Sequence, residues 1–364
     1  PGARVVAWAQ AHGARVSPKV AFLEPGIGGD RCCRASQAIA AHEVLVELPR
    51  ALAFETPPSS PRGVPPDLAA LLERAACSQD DRPGGPDGPP GKSLAVALLL
   101  HHERMRGDAS EFAPYIDTLP VSFPAMPLLD DPQPWDAEAT GSLYAGTGVE
   151  LLARAGAALA GPRGVAAMRG AIEGLDPEGL FWHRAQRGGD ELLRWAAAAV
   201  QSRAHSARRG AATALVPLAD AFNHTAGAPN AELCEREASF QVRACRAVAI
   251  GEELLLSYGP FSNAELLFNA GFTCPRNPSD SVLVSHRELR LAARAARDAW
   301  SARPGDAAHG AGEEDAVLEG RCALLAAGLP APRLRATAPL LGGAAPAEVV
   351  TLLVGMLLDP EDWD

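Results

Sequence analysis

Apolar residues recur along this chain in short alternating runs and in longer helical patterns, and each change of pattern marks a change of element. Val20–Glu24, Val44–Leu48, Ala238–Arg243 and Glu252–Tyr258 are brief β-prone runs bounded by Gly, Pro or polar turn formers. Because Gly251 separates the last two, they predict a hairpin. Ala38–Leu48 and Val248–Tyr258 echo one another, each a small-residue turn, a Glu and a Leu/Val-rich strand, and read as two similar hairpins rather than a domain repeat. Helices are predicted at Ala3–Gln10, Leu68–Ala76, from a capping Ser93 through Arg106, from about Gly148 to Leu159, and from Asp190 to about His205. Ser262 with Glu265 three residues on forms a capping box that opens a short helix, and Gly271 is placed to end it. Beyond it, Ser285 with Glu288 predicts a helix to about Ser301. An acidic stretch from Pro304 to Asp315 follows, then helices at Ala316–Ala327 and Pro346–Leu358. Pro57–Pro66 and Pro83–Gly91 are loops by composition.

The chemistry-bearing residues gather between 215 and 272. An apolar segment, Leu215–Ala219, ends in a polar elbow that carries Asp220, Asn223 and His224, and Tyr258 stands at the exit of a nearby strand. Such a set can converge on a small-molecule site. Taken singly, an Asn-His pair also serves as a turn that satisfies its own backbone, and a Tyr ending a strand also serves as a core residue with a bonded hydroxyl. Near the N-terminus, Gly26-Ile27-Gly28 follows a strand; the glycines permit close approach of a ligand to the backbone, or simply a tight hairpin turn.

Composition narrows the field of partners. The 364 residues are 47% hydrophobic, ordinary for a globular protein and enough for a sizeable core. A formal net charge of −11 disfavours direct nucleic-acid binding and allows a basic protein partner. The seven cysteines form no CxxC pair, so neither a zinc site nor a disulfide framework is signalled, and a reducing compartment is the default. The apolar runs at Leu94–Leu100 and Val349–Leu358 are too short for a bilayer, which takes about 20 residues, so no membrane span is expected. The chain begins at Pro1, and the absence of a targeting segment says nothing about its address.

The ordered set Asp220-x-x-Asn223-His224, Gly251-Glu252-Glu253, Ser257-Tyr258-Gly259 and Ser262-Asn263-Ala264-Glu265 ending in Gly271-Phe272 closely resembles the C-terminal half of a SET domain, in the branch of the Rubisco large-subunit methyltransferases. Gly26-Ile27-Gly28 with the strands around it resembles the family's N-terminal cofactor loop, although Pro25 stands where relatives often carry a polar residue. Phe112-Ala113-Pro114-Tyr115-Ile116-x-x-Leu119-Pro120 resembles the helical insertion of this branch, and Ser202-Arg203 its corner beside the cofactor. The resemblance implies an α+β fold: a SET domain of short β-hairpins and small sheets with a helical insertion, followed by a C-terminal helical domain. Its expected divisions are residues 1–92 with the cofactor loop, a helical insertion at 93–200, the cofactor and catalytic motifs at 201–276, and a shortened helical substrate-binding domain at 277–364.

The activity so implied is transfer of a methyl group from S-adenosyl-L-methionine to a lysine side chain of a protein, with no metal. Gly26, Ile27, Gly28, Ser202, Arg203, Asp220, Asn223, His224 and Tyr258 are the expected cofactor-binding residues, with Tyr258 also catalytic. His205, Ala270 and Phe272 are the expected substrate side. His205 departs from the family, where lysine-modifying relatives commonly carry Phe and the actin-histidine relative carries Asn; Ala270 replaces a Tyr of some plant relatives. A histidine acceptor on the same fold, and a catalytically weak SET protein serving as a binding module, are the competing readings. The expected partner is a protein substrate, without direct nucleic acid or membrane. The chain itself is expected to be monomeric, soluble and intracellular, with chloroplast, cytoplasm and nucleus not distinguished.

Overall fold

The computed structural model describes residues 2–26, 31–56, 66–76, 91–123, 159–160, 162–175, 189–285 and 333–337, with Val149 and Leu152. The chain divides into two compact units, Pro1–Asn277 and Pro278–Asp364. Among the described residues no helix is long and apolar enough to cross a membrane.

In the first unit, helix α1 (Gly2–Ala11) precedes strands β1 (Arg15–Val16), β2 (Val20–Pro25), β3 (Arg31–Ala35), β4 (Val44–Pro49) and β5 (Phe54–Glu55). Helices α2 (Pro66–Ala76), α3 (Gly91–Arg106), α4 (Ala113–Ile116), α5 (Pro162–Leu175) and α6 (Gly189–Arg203) follow. Strands β6 (His205–Ala207), β7 (Ala212–Leu215), β8 (Asn223–His224), β9 (Ala231–Glu235), β10 (Ser239–Ala244) and β11 (Leu255–Leu256) and helix α7 (Asn263–Ala270) complete it. The sheets are small: a four-stranded one in the order β1-β4-β10-β9, a three-stranded one in the order β5-β7-β6, and the pairs β2-β3 and β8-β11.

Helix α3 is buried all round over Leu94–Glu103, as a helix enclosed by a core must be. It packs on α6, whose Ala196–Ala199 are fully buried; a face of alanines lets two helix backbones approach closely. At the far end of α3, Phe54, Phe112, Tyr115 and Trp8 form an aromatic cluster, with Phe54 and Phe112 centroids 4.7 Å apart, inside the favourable range for ring pairs. Helix α7 has the predicted ends. Ser262 accepts from the Glu265 backbone N–H, Glu265 accepts from the Ser262 backbone N–H, and Gly271 closes the helix in the left-handed region with φ 79°.

Three chain segments meet where the candidate residues lie. After β7, Leu218 takes φ 69° and a single 3-10 turn, Ala219–Ala221, leads into β8. Strand β8 pairs in parallel with β11, Asn223 opposite Leu255 and His224 opposite Leu256. Residues 252–254 in turn bond the N-terminal hairpin: Leu254 N–H donates to Cys33 O at 2.8 Å and Ala35 N–H to Glu252 O at 2.9 Å.

These pairings correct the expected hairpin of 238–243 with 252–258. β10 pairs instead with β4 and β9, and the chain after Gly251 (φ 82°) crosses to β3 and β8. A period-two pattern fixes which face a strand buries, not which strand it pairs with, and a segment whose backbone groups are taken by β3 and β8 cannot also close a hairpin. The two echoing segments do meet, through an antiparallel bridge between Ile39 and Val248.

The helix predicted at 148–159 lies almost wholly outside the described residues, and α5 was not anticipated. In the second unit the described residues form the antiparallel pair β12 (Ser281–Ser285) and β13 (Arg333–Thr337). Ser285, expected to cap a helix, ends β12 opposite Arg333; the helices expected at 286–301, 316–327 and 346–358 lie outside the described residues.

Candidate active site

Tyr258 is held at both ends. Its backbone N–H donates to Nδ1 of His224 at 3.0 Å, and its hydroxyl donates to the Phe222 carbonyl at 2.8 Å. The hydroxyl has one proton, so its oxygen faces other partners as an acceptor. Burial pushes the phenol up to about 12, with Asp220 and Cys33 adding to the rise and Arg203 opposing it. The group is therefore a neutral hydroxyl at ordinary pH. Around it stand His224 (ring centroids 5.0 Å), Phe272 (6.3 Å) and His205 (6.4 Å).

The elbow that precedes β8 is braced from several sides. Asp220 is buried and accepts the Tyr115 hydroxyl at 3.0 Å, while Arg203 Nη1 donates to the Asp220 backbone carbonyl at 3.0 Å. Burial raises the Asp220 carboxyl above its usual range, against the pull of Arg203, Tyr115 and Arg31. One residue further, the Cys33 thiol donates to the Ala221 carbonyl at 3.3 Å. Asn223 donates both amide hydrogens inside the protein, to Arg31 O at 3.0 Å and to Glu253 Oε1 at 2.8 Å.

A pocket of about 330 Å³ opens against these groups. Its lining includes Ser202, Arg203, Asp220, His205, Tyr258 and Ala270, with Phe261 and Leu266 adding apolar surface. Arg203 Nε is buried and meets no hydrogen-bond acceptor among the described residues. A guanidinium with an uncommitted N–H on a pocket wall suits an anionic ligand group such as a carboxylate. The residues present thus fit an amino-acid-bearing cofactor. His205 is held neutral by burial, its imidazole lowered to about 4. His224 is also lowered by burial, against a hydrogen bond that its ring donates to the Leu256 backbone and that raises it.

Of the residues singled out in the sequence, Ser202, Arg203, His205, Asp220, Tyr258 and Ala270 line this one pocket. His224 and Phe272 do not line it but pack on Tyr258, and Asn223 spends its amide donors on the surrounding backbone and Glu253. Gly26 ends the described part of the N-terminal hairpin; Ile27 and Gly28 lie outside the described residues. Sequence reasoning missed Phe222, whose carbonyl holds the Tyr258 hydroxyl, and Tyr115, which reaches Asp220 across 105 positions. The first acts through its backbone and leaves no sequence signal. The second was visible only as part of the Phe112–Pro120 signature. Among the described residues no His, Cys, Asp and Glu cluster could hold a metal ion.

Comparison with known proteins places this geometry. Residues 30–259 match the family model described as SET domain. The chain is 27% identical to the actin-histidine N-methyltransferase of Drosophila melanogaster over 210 residues, 53% of this chain and 37% of that protein. It is 25% identical to the N-lysine methyltransferase SETD6 of Bos taurus over 311 residues, 80% of this chain and 62% of that protein. It is also 35% identical to the ribosomal lysine N-methyltransferase set10 of Schizosaccharomyces pombe over 102 residues, 26% of this chain and 18% of that protein. The chain thus spans less than two thirds of each of these relatives. Among solved structures, Rubisco LSMT bound to AdoMet superposes with a TM-score of 0.63 at 18% identity, over 99% of this chain and 71% of that one. The SET domain of LSMT bound to lysine and AdoHcy does so with a TM-score of 0.61 at 19% identity, covering 99% and 71%. At these identities the likeness carries the fold, and it is the fold expected from the sequence.

Proposed function

The chain belongs to the SET-domain family, and from that premise we propose that it transfers a methyl group from S-adenosylmethionine to the side-chain nitrogen of a lysine in a protein substrate. The observation that carries this reading is that one pocket is lined both by Arg203, with its uncommitted N–H, and by Tyr258, whose hydroxyl proton is already given to Phe222 O. The lysine-modifying names of two of the three relatives support the acceptor.

When bound, the cofactor would supply a methyl group made electrophilic by its sulfonium sulfur, so that a neutral amine gains the methyl as the carbon–sulfur bond breaks and the demethylated thioether leaves. Arg203 and Ser202, which line the pocket, would hold the cofactor's amino-acid end, the guanidinium facing the carboxylate. The protein's main task is then to fix a nitrogen lone pair at about 3–3.5 Å and collinear with the methyl. Free lysine has a pKa of about 10.4, and the apolar wall of Phe261, Leu266 and Ala270 disfavours the ammonium and lowers that value. The proton leaves to water before the nitrogen is enclosed. Tyr258 then orients the amine by accepting one of its N–H bonds, since its own proton is committed to Phe222 O. A phenol pushed up to about 12 is a positioning acceptor and not a base at neutral pH. His224 offers Nδ1 to the Tyr258 backbone, so its neutral ring carries the proton on Nε2. This supports a part in holding the strand exit and the cofactor side rather than in proton abstraction.

A histidine acceptor is the second reading. It is favoured by the polar rim of His205 on the pocket wall beside the small Ala270 and by the similarity to the Drosophila actin-histidine enzyme. Transfer from methyl-labelled S-adenosylmethionine into protein mixtures, with mass mapping of the modified residue, tests both. Lysine adducts support the first reading and histidine adducts the second. Calorimetry on the folded protein showing no binding of the cofactor or its demethylated product overturns both.

A further inference from the structure

Tyr115 lies outside the pocket, in the helical insertion, and is fully buried. Its hydroxyl nevertheless donates to Asp220 Oδ2 at 3.0 Å. Asp220 is the middle residue of the 3-10 turn Ala219–Ala221, and the carbonyl two residues on, that of Phe222, accepts the Tyr258 hydroxyl at 2.8 Å. This turn is not a relaxed piece of chain. It is entered through Leu218 at φ 69°, ψ −39°, a sparsely populated conformation for a side-chain-bearing residue, which persists only where the surroundings over-determine it.

We propose, building on the methyltransferase reading of this pocket, that Tyr115 is a positioning residue for Tyr258: its bond to Asp220 pins the 219–221 turn and so sets the Phe222 carbonyl that aims the Tyr258 hydroxyl. The other restraints on the turn act on its backbone: Arg203 on the Asp220 carbonyl and Cys33 on the Ala221 carbonyl. Tyr115 acts on its side chain, and from the far side of the core, since it packs against Trp8 and Phe54. The insertion helix is thereby wired to the hydroxyl that meets the acceptor. Removing one oxygen at Tyr115 leaves the ring packing in place and frees the turn to relax toward an ordinary φ, which draws Phe222 O away from Tyr258.

The chain has three tyrosines, so protein labelled with ¹³C at the tyrosine Cζ gives three signals, assignable with Tyr258→Phe and Tyr144→Phe. The Cζ shift reports the hydrogen bond of the hydroxyl. In Tyr115→Phe the Tyr258 signal should be displaced while the Tyr144 signal stays; an unmoved Tyr258 signal in folded Tyr115→Phe overturns the proposal. Asp220→Asn reads the same relay from its other end should Tyr115→Phe fold poorly. It exchanges the carboxyl acceptor for an amide, and an undisplaced Tyr258 signal there counts equally against the relay. The kinetic arm uses labelled S-adenosylmethionine and a lysine-containing peptide pool. Tyr115→Phe should lower kcat about tenfold with little change in cofactor KM, yet have almost no further effect in a Tyr258→Phe background, because residues acting through one another are non-additive. Equal losses in the two backgrounds overturn the proposal. If the wild-type protein transfers no methyl to lysine, the proposed acceptor fails while the signals of the free protein still decide the relay.

Discussion

His224 and Tyr258 are joined through ring and backbone: Nδ1 of the imidazole accepts the backbone N–H of the tyrosine at 3.0 Å, and the two rings lie 5.0 Å apart. That bond needs an unprotonated Nδ1, and burial, which lowers the His224 pKa, keeps it so. The strand exit at Tyr258 therefore has its backbone fixed by one side chain of the elbow and its hydroxyl fixed by one carbonyl of the same elbow. Both restraints come from residues 222–224, which run beside β11 in parallel.

Tyr258→Phe tests whether that fixed hydroxyl acts on the acceptor. The substitution removes one oxygen and leaves the ring against His224 and Phe272. A positioned proton donor or acceptor is worth about 10²–10⁴-fold in rate, so turnover should fall by that order while cofactor affinity, measured by calorimetry, stays within about twofold. Unchanged turnover removes the hydroxyl from the mechanism.

Helix α7 carries Glu265, Leu266, Asn269 and Ala270 into the pocket wall, and its two ends are separately testable. Ser262→Ala deletes the side-chain acceptor of the capping box and should cost about 0.5–2 kcal/mol of stability. Gly271→Ala forces a side chain to φ 79° and should cost about 1–2 kcal/mol. Denaturant midpoints report both; a neutral Gly271→Ala would show that this residue is not left-handed in solution.

Acid should loosen the protein through two imidazoles that folding takes out of water, the buried His101 and the half-buried His205. His205 and His101 are each lowered from 6.5 to about 4 by burial, and in His101 also by the neighbouring His102. A depressed folded pKa means that the unfolded chain binds the extra proton. This stability is therefore fully present above about pH 6.5 and is lost as pH falls toward about 4. In His205→Phe the proton uptake on unfolding near pH 5 should drop by about one, read from the pH dependence of the denaturant midpoint. The His101 share should remain. An unaltered slope would mean that His205 is open to solvent in both protonation states.

What could be read from the sequence was local, and what could not was a matter of partners. The capping box Ser262–Glu265 and the left-handed Gly271 are written within ten residues, and the structure has them as read. The proximity of Ser202-Arg203 to Tyr258 came from family spacing, since nothing between 203 and 258 dictates that the two segments meet. The mispaired hairpin shows the limit. Glu252–Leu256 has the composition of a strand, but its backbone bonds go to Cys33, Ala35 and the Asn223-His224 pair, more than 200 positions away in the first two cases. Phe222 was invisible for a different reason: it contributes a carbonyl, and Leu218 contributes a φ, and neither is encoded by a recognisable side-chain type.

The proposed role of His205 in choosing the acceptor is open to a direct test. It begins β6, opposite Ala214, and its ring meets Tyr258 edge-on at 6.4 Å, so it lines the pocket next to the proposed catalytic hydroxyl with a neutral imidazole. A larger apolar aromatic there narrows the channel toward a slim alkyl amine; an amide leaves a hydrogen-bonding partner for a wider ring. Imidazole has an aromatic shape with one donor and one acceptor at its rim, and Ala270 on the same wall does not close the space. His205→Phe should accordingly preserve or raise lysine methylation, and His205→Asn should lower it several-fold and raise any transfer to histidine. Competition between lysine- and histidine-containing peptides for labelled methyl measures the ratio directly. If both substitutions leave that ratio at its wild-type value, His205 does not choose the acceptor, and the choice lies with residues of the wall such as Phe261 or Asn269.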